Sequence, residues 1–414
     1  METEFCESDT SDKDTDTINT NNCLYCNITF NEKLCCKECI NSLEKLAENG
    51  DKKAMLNLAT CYMNGKGVKM NLEKAFHWYQ RAAENGDGKA MYNLAICYKN
   101  GQGTEKNLEN TFYWYQKASE NEDKEAMFNL ANCYCFGEGT DKKLEKAFYW
   151  YQKAAENGVK EAMISLAHSY YSGKGTEKNL EKAFHWYQKA AENDVKEAMF
   201  NLAISYRYGE GIEKNLEKSF HWYQKAAEIG VKEAMSNLGT CYSYGVGTEK
   251  NLEKAFHWYQ KAAESGDKEA MFNLTNCYYF GEGTEKNLEK SFHWCQKAAE
   301  NGVKEAMFSL AHNYYNGEGT EKNLEKAFHW YQKAAENGVK EAMFNLAICY
   351  KYGEGTENNF EKAFHWFQKA AKNGDKEAMF NLANCYYIGE GIEKNLEKTF
   401  YWYQKAAEIG VSKA

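Results

Sequence analysis

The chain has 414 residues, no proline, 43% hydrophobic residues and a formal net charge of −9. Seven acids in the first 22 residues (Glu2, Glu4, Glu7, Asp9, Asp12, Asp14, Asp16) stand against Lys13 alone, which is −6 of that charge, so the rest is nearly balanced. With no basic stripe to neutralise phosphates, no apolar run near the ~18 residues of a membrane span and no signal-peptide segment, we expect no nucleic-acid partner, no membrane, and a cytoplasmic (or nuclear) chain.

In that compartment the fifteen cysteines are expected as reduced thiols or metal ligands. Residues 1–22, rich in Thr, Asp and Asn, cannot bury enough surface to offset their ordering entropy and are expected to be disordered. Residues 23–40 carry Cys23-Leu-Tyr-Cys26 and Cys36-Lys-Glu-Cys39, two C-x2-C knuckles nine residues apart. Four thiolates so spaced, Cys23, Cys26, Cys36 and Cys39, are the ligand pattern of one structural zinc ion. Cys35 is an ambiguous fifth ligand and the spacer is short, so unliganded thiols and redox chemistry remain alternatives. Residues 41–50, NSLEKLAENG, match only the second half of the repeat that follows and read as an N-terminal cap.

Residues 51–410 are ten units of 36 residues without insertion. All ten tryptophans, from Trp78 to Trp402, and ten of the thirteen methionines keep that step. A period near 36 indicates a helix-turn-helix solenoid, in which each unit packs mainly on its neighbours. In the first unit, Asp51 is a plausible N-cap, and Ala54, Leu58 and Tyr62 share one face of a helix A. Gly65 offers a left-handed C-cap. Asn71 caps a helix B whose apolar face carries Ala75, Trp78, Tyr79, Ala82 and Ala83, and Gly86 ends it. Trp and Tyr are both read as packing between helices. Val replaces the Asp cap in half the units (Val159, Val195, Val231, Val303, Val339). Residues 411–414 begin an eleventh unit and stop.

Catalytic patterns are lacking. Seven His residues precede Trp (His77, His185, His221, His257, His293, His329, His365), with no Asp or Cys at a fixed ligand spacing, and read as an exposed edge. The G-x-G loops lack the third glycine and the preceding strand of a dinucleotide fingerprint. No Walker, kinase or Gly-x-Ser-x-Gly motif occurs, and we expect no enzyme.

The pattern A-x3-L-A-x2-Y-x2-G-x-G followed by L-E-K-A-x2-W-Y-x-K-A-A-x2-G resembles the Sel-one-like repeat family. In the first unit it rests on Ala54, Leu58, Tyr62, Gly65, Gly67, Ala75, Trp78, Tyr79, Ala82, Ala83 and Gly86. The resemblance implies an all-α fold, a tetratricopeptide-like α-solenoid superhelix acting as adaptor or scaffold. A regulatory subunit for a kinase or cell-wall synthase is the alternative. Where the family often has Gly after the first Leu, this chain has mostly Ala (Ala59, Ala95, Ala131) and Gly only at Gly239. β-Lactam hydrolysis has been proposed for secreted bacterial members with paired cysteines. Most units here carry one Cys at the matching helix A position (Cys61, Cys97, Cys241, Cys277, Cys349 and Cys385 among them) without a regular partner, which weakens that analogy.

Variation between units concentrates at the end of helix A. Beside the core face runs a row of amides: Asn57, Asn93, Asn129, Asn201, Asn237, Asn273, Asn345 and Asn381, with Ser165 and Ser309 in two units. In related repeats helix A lines a concave groove. An amide ladder there could hold the backbone of a bound protein or extended peptide, with Phe136, His168, Tyr208, Phe280 and His312 reading side chains. The competing reading is that each Asn bonds the neighbouring unit. The last repeat ends on an apolar face, so self-association through it is also expected.

Overall fold

The computed structural model describes the backbone of residues 37–411 and the side chains of residues 39–408. The acidic segment and Cys23, Cys26 and Cys36 lie outside the described residues. Among those described, every regular element is a helix. In chain order they are α1 Lys37–Glu48, α2 Lys52–Asn64, α3 Leu72–Glu84, α4 Gly88–Asn100, α5 Leu108–Glu120, α6 Lys124–Phe136 and α7 Leu144–Glu156. There follow α8 Lys160–Ser172, α9 Leu180–Glu192, α10 Lys196–Tyr208, α11 Leu216–Glu228, α12 Lys232–Tyr244, α13 Leu252–Glu264 and α14 Lys268–Phe280. The last are α15 Leu288–Glu300, α16 Lys304–Asn316, α17 Leu324–Glu336, α18 Lys340–Tyr352, α19 Phe360–Lys372, α20 Lys376–Ile388 and α21 Leu396–Val411. From α2 on, even-numbered helices are helix A and odd-numbered ones helix B, the α-solenoid that the period predicts. The chain falls into two compact units, divided between Asn193 and Asp194, and within each unit every helix packs on its sequence neighbours.

Local chemistry sets the helix ends. Asp51 accepts from the Ala54 N–H and Asn71 from the Lys74 N–H, each satisfying a donor that the first turn leaves open. Gly65 closes α2 at φ +67°, a left-handed conformation where a Cβ is strained. Where Val replaces Asp, no side-chain cap forms. Val159 and Val303 are instead buried, so apolar contact compensates for the missing hydrogen bond.

Helix A buries Ala54, Met55, Leu58, Ala59, Cys61 and Tyr62, and helix B buries Ala75, Tyr79, Ala82 and Ala83. The aromatic doublet divides. Tyr79 and its equivalents Tyr115, Tyr223 and Tyr331 are buried, whereas all ten Trp are half-buried. This corrects the expectation that both fill the core. Adjacent residues point about 100° apart on a helix, and the Tyr direction meets helix A of the same repeat, as Tyr151 does at Asn132.

Within each unit, successive repeats meet at a fixed seam. Phe76 packs edge-to-face on Tyr98 of the next repeat at 5.2 Å between ring centres, and Phe112–Tyr134, Phe256–Tyr278 and Phe328–Tyr350 repeat the contact at 5.2–5.3 Å. Within each unit the second glycine of the G-x-G loop serves the same seam. A Cβ on Gly103 would lie 2.0 Å from the Leu72 carbonyl oxygen of the preceding helix B, and Gly283 stands in the same relation to Leu252. These glycines are therefore contact points between repeats as well as turn residues.

Candidate interaction surface

The amide row lies half-buried beside the core face. Asn129, Asn201, Asn237, Asn345 and Asn381 each donate a side-chain N–H to the carbonyl four residues back, on Glu125, Glu197, Glu233, Glu341 and Glu377, at 2.8–2.9 Å. That bond engages one N–H and leaves the side-chain carbonyl oxygen out of it. At Asn237 that oxygen accepts from Arg207 of the preceding repeat at 3.4 Å. Asn57, Asn93 and Asn273 hold the same half-buried place.

Three residues further on, the variable position faces a helix B residue 19 positions ahead in its own repeat, a Tyr in eight of the ten repeats. Tyr151 donates its hydroxyl to Asn132 at 2.7 Å, Tyr403 to Asn384 at 2.6 Å and Tyr259 to Thr240 at 3.2 Å. His168 packs edge-on against Tyr187 at 5.6 Å. In the ninth repeat Ile348 stands at that position and the buried ring is Phe367, which has no hydroxyl. The position is not matched to the ring throughout, since Ile96 and Ile204 face Tyr115 and Tyr223, and Asn276 stands opposite Cys295.

The last residue of helix A points outward. Phe136, Tyr208, Tyr244, Phe280, Tyr352 and Ile388 occupy it and are 56–75% exposed; Asn64, Asn100, Ser172 and Asn316 occupy it elsewhere. Of the six apolar residues, five lie in the unit that begins at Asp194. His312 sits on the same side and lies 2.8 Å from the Asn316 amide nitrogen.

The opposite edge belongs to helix B. Exposed His rings lean edge-on against the adjacent Trp, as His77 does on Trp78 at 5.5 Å. Lys189, Lys261, Lys333 and Lys369 lie 4.4–4.9 Å over the rings of Trp186, Trp258, Trp330 and Trp366. Where Tyr149 and Tyr401 replace His, Lys153 and Lys405 turn to that Tyr instead, at 6.0 and 5.7 Å.

Burial governs the titrating groups. It pushes the thiols of Cys97, Cys133, Cys241 and Cys385 up to about 11 and those of Cys277, Cys295 and Cys349 up to about 12. Tyr223 and Tyr259 are raised to about 12 by the same cause. Such thiols are protonated and poor nucleophiles at neutral pH. Cys39 is buried in the first turn of α1. Among the described residues no group of three or more His, Cys, Asp or Glu is arranged to hold a metal, and no helix is long and apolar enough to cross a membrane.

The family model of the Sel1 repeat matches ten consecutive segments, from residues 52–87 through 376–411. The chain belongs to the Sel1 repeat family. Its structure is similar to that of a protective antigen of uropathogenic Escherichia coli strains described as displaying an SLR fold. The two share 34% identity and a TM-score of 0.79, over 90% of this chain and 80% of that one. A Sel1 repeat protein from Oxalobacter formigenes is similar at 26% identity and a TM-score of 0.60, over 73% of this chain and 88% of that one. No curated protein matches the chain. The Sel1 repeat fold is typical of protein–protein interaction scaffolds, and the family is generally non-catalytic.

Proposed function

We propose that this Sel1 repeat chain is a non-catalytic adaptor that binds an extended segment of a partner protein along the free ends of its A helices. One observation carries the reading: Tyr208, Tyr244, Phe280, Tyr352 and Ile388 recur at the same exposed position through the second unit. Large apolar side chains recurring together at a surface mark interaction sites, whereas single exposed ones are ordinary. The half-buried amides of Asn201, Asn345 and Asn381 run beside them, and their carbonyl oxygens can accept from a partner's backbone N–H groups. The test is a pull-down with the full chain and with a variant carrying Tyr208, Tyr244, Phe280 and Tyr352 changed to Ser. Both baits should melt at the same temperature. Partners held by the first and released by the second support the site, and equal capture refutes it.

Self-association is a second reading, favoured by Leu396 and Phe400 on α21, which are 69% and 72% exposed. Phe76 at the same repeat position packs on the next repeat. A mass that rises with concentration in light scattering would support it, and a constant monomer mass would remove it. One structural zinc ion on Cys23, Cys26, Cys36 and Cys39 is also part of the proposal; metal content of the purified chain decides it.

A further inference from the structure

A second seam contact links the end of one helix A to the G-x-G loop of the next repeat, 39 residues on. Lys351 meets Glu390 at 2.8 Å, Lys99 meets Glu138 at 4.0 Å, and the Tyr315 hydroxyl donates to Glu354 at 3.1 Å. The negative charge of Glu318 likewise raises Tyr279, which places the two side chains close together. In each case a long side chain reaches the acid between the two glycines and closes the space beneath.

Between the third and fourth repeats both partners change. The residues at these two positions are Cys135 and Lys174. The thiol is too short to bridge, and an ammonium replaces the carboxylate. Ser165, Ser169 and Ser172 further thin the wall, standing where most other repeats have larger side chains. A cavity of about 420 Å³ results, with Phe148 and Tyr151 among its apolar walls, Ser165 and Lys174 among its polar ones, and no Asp or Glu in its lining. The eighth repeat carries the same Ser-Leu-Ala-His run, Ser309 to His312. There Tyr279 and Glu318, a long side chain and an acid, occupy the two seam positions. Cys135 is also the one described free cysteine that is not buried.

We propose that this cavity is a binding pocket for a small aromatic carboxylate. The ring lies against Phe148 and Tyr151, and the carboxylate meets the Lys174 ammonium. The volume falls in the ~300–1,000 Å³ range of small-molecule sites, which are mostly apolar with a few placed polar groups. The charge at position 174 selects an anion, because six other repeats hold a Glu there (Glu138, Glu210, Glu282, Glu318, Glu354, Glu390). This site is independent of the exposed row assigned to the partner protein. Cys135, in its wall, serves as a built-in reporter.

The test uses the full chain with 2-naphthoate as probe and 2-naphthalenemethanol as its neutral counterpart. Alkylation of Cys135 by iodoacetamide is followed by peptide mass mapping. At roughly ten dissociation constants of 2-naphthoate, Cys135 should react about tenfold more slowly, as its occupancy dictates. The neutral alcohol should protect less. Lys174→Glu should weaken naphthoate binding by about tenfold or more, and Lys174→Gln by less, with both variants melting like the parent. Cys135→Tyr, which copies the eighth repeat, should abolish the saturation-transfer signal of naphthoate seen with the parent chain. The pocket is overturned if naphthoate neither protects Cys135 nor gives a saturation-transfer signal. Equal protection by the alcohol, or full naphthoate protection in Lys174→Glu, would overturn the anion assignment.

Discussion

At the seams within each unit, repeats present the same atoms to their neighbours: a Phe ring edge-to-face with a Tyr ring, and a glycine against the carbonyl of the preceding helix B. At the free end of helix A the repeats present Asn, Ser, Phe, Tyr or Ile in turn. Both regions belong to the same helix pair, so backbone geometry does not explain the contrast. The number of partners does. A seam residue is fixed by two neighbouring repeats, and a changed side chain must fit both. A rim residue faces solvent and can differ without disturbing the stack. Uniformity therefore reports packing in this chain, and difference reports where binding can be specialised.

Four experiments would break or sharpen that contrast. The largest effect is expected from raising the pH. The seam and core hold thiols and phenols whose folded values lie above their ordinary ones, Cys277 and Cys349 at about 12 against 9.0. The native state then keeps protons that the unfolded chain releases, so stability is full below about pH 9 and is lost as the pH climbs from there through about 12. Urea midpoints at pH 8, 9.5 and 10.5 should fall in that order; a flat series would contradict burial as the cause.

The next largest effect separates two glycines of one loop. A Cβ on Gly283 would lie 2.0 Å from the Leu252 oxygen, whereas at Gly281 the nearest atom is 3.3 Å away. Both have positive φ. Gly281→Ala should cost the left-handed penalty of about 1–2 kcal/mol. Gly283→Ala should cost clearly more, about 3 kcal/mol or above, because the repeats must also separate. Equal costs by denaturant titration would show that the seam is looser than the geometry describes.

A smaller effect lies between seam and rim. Tyr151→Phe removes the hydroxyl bonded to Asn132 at 2.7 Å and should cost about 1 kcal/mol. Adding Asn132→Ile, the pairing used by Ile348 and Phe367, should recover part of it. A double-mutant cycle with no coupling would refute a stabilising bond between Tyr151 and Asn132. Smallest of all, Tyr244→Ser or Phe280→Ser at the rim should change stability by no more than about 0.5 kcal/mol. A loss near 2 kcal/mol in a melting series would place those rings in the stack and not on a binding surface.

Much of the candidate surface is legible in the amino-acid sequence. The reading of Phe136, Tyr208 and Phe280 as available side chains agrees with their exposure. The amide row is legible as a row. Its bonds to the carbonyls four residues back are not, because an Asn near the core face can turn to its own helix, to the next repeat or to a ligand, and spacing does not choose. The cavity beside Cys135 is equally hidden. It arises from residues 39 positions apart, each ordinary within its own repeat.

The 36-residue period, the two helices of each unit and their caps at Asp51, Gly65 and Asn71 were determined by the sequence alone. They depend on hydrogen bonds and left-handed turns closed within a few residues. Tertiary structure decided which of Trp78 and Tyr79 enters the core, why the second loop glycine must be glycine, and where the stack leaves a space. Each of these depends on the distance and direction of another helix, and local pattern carries neither.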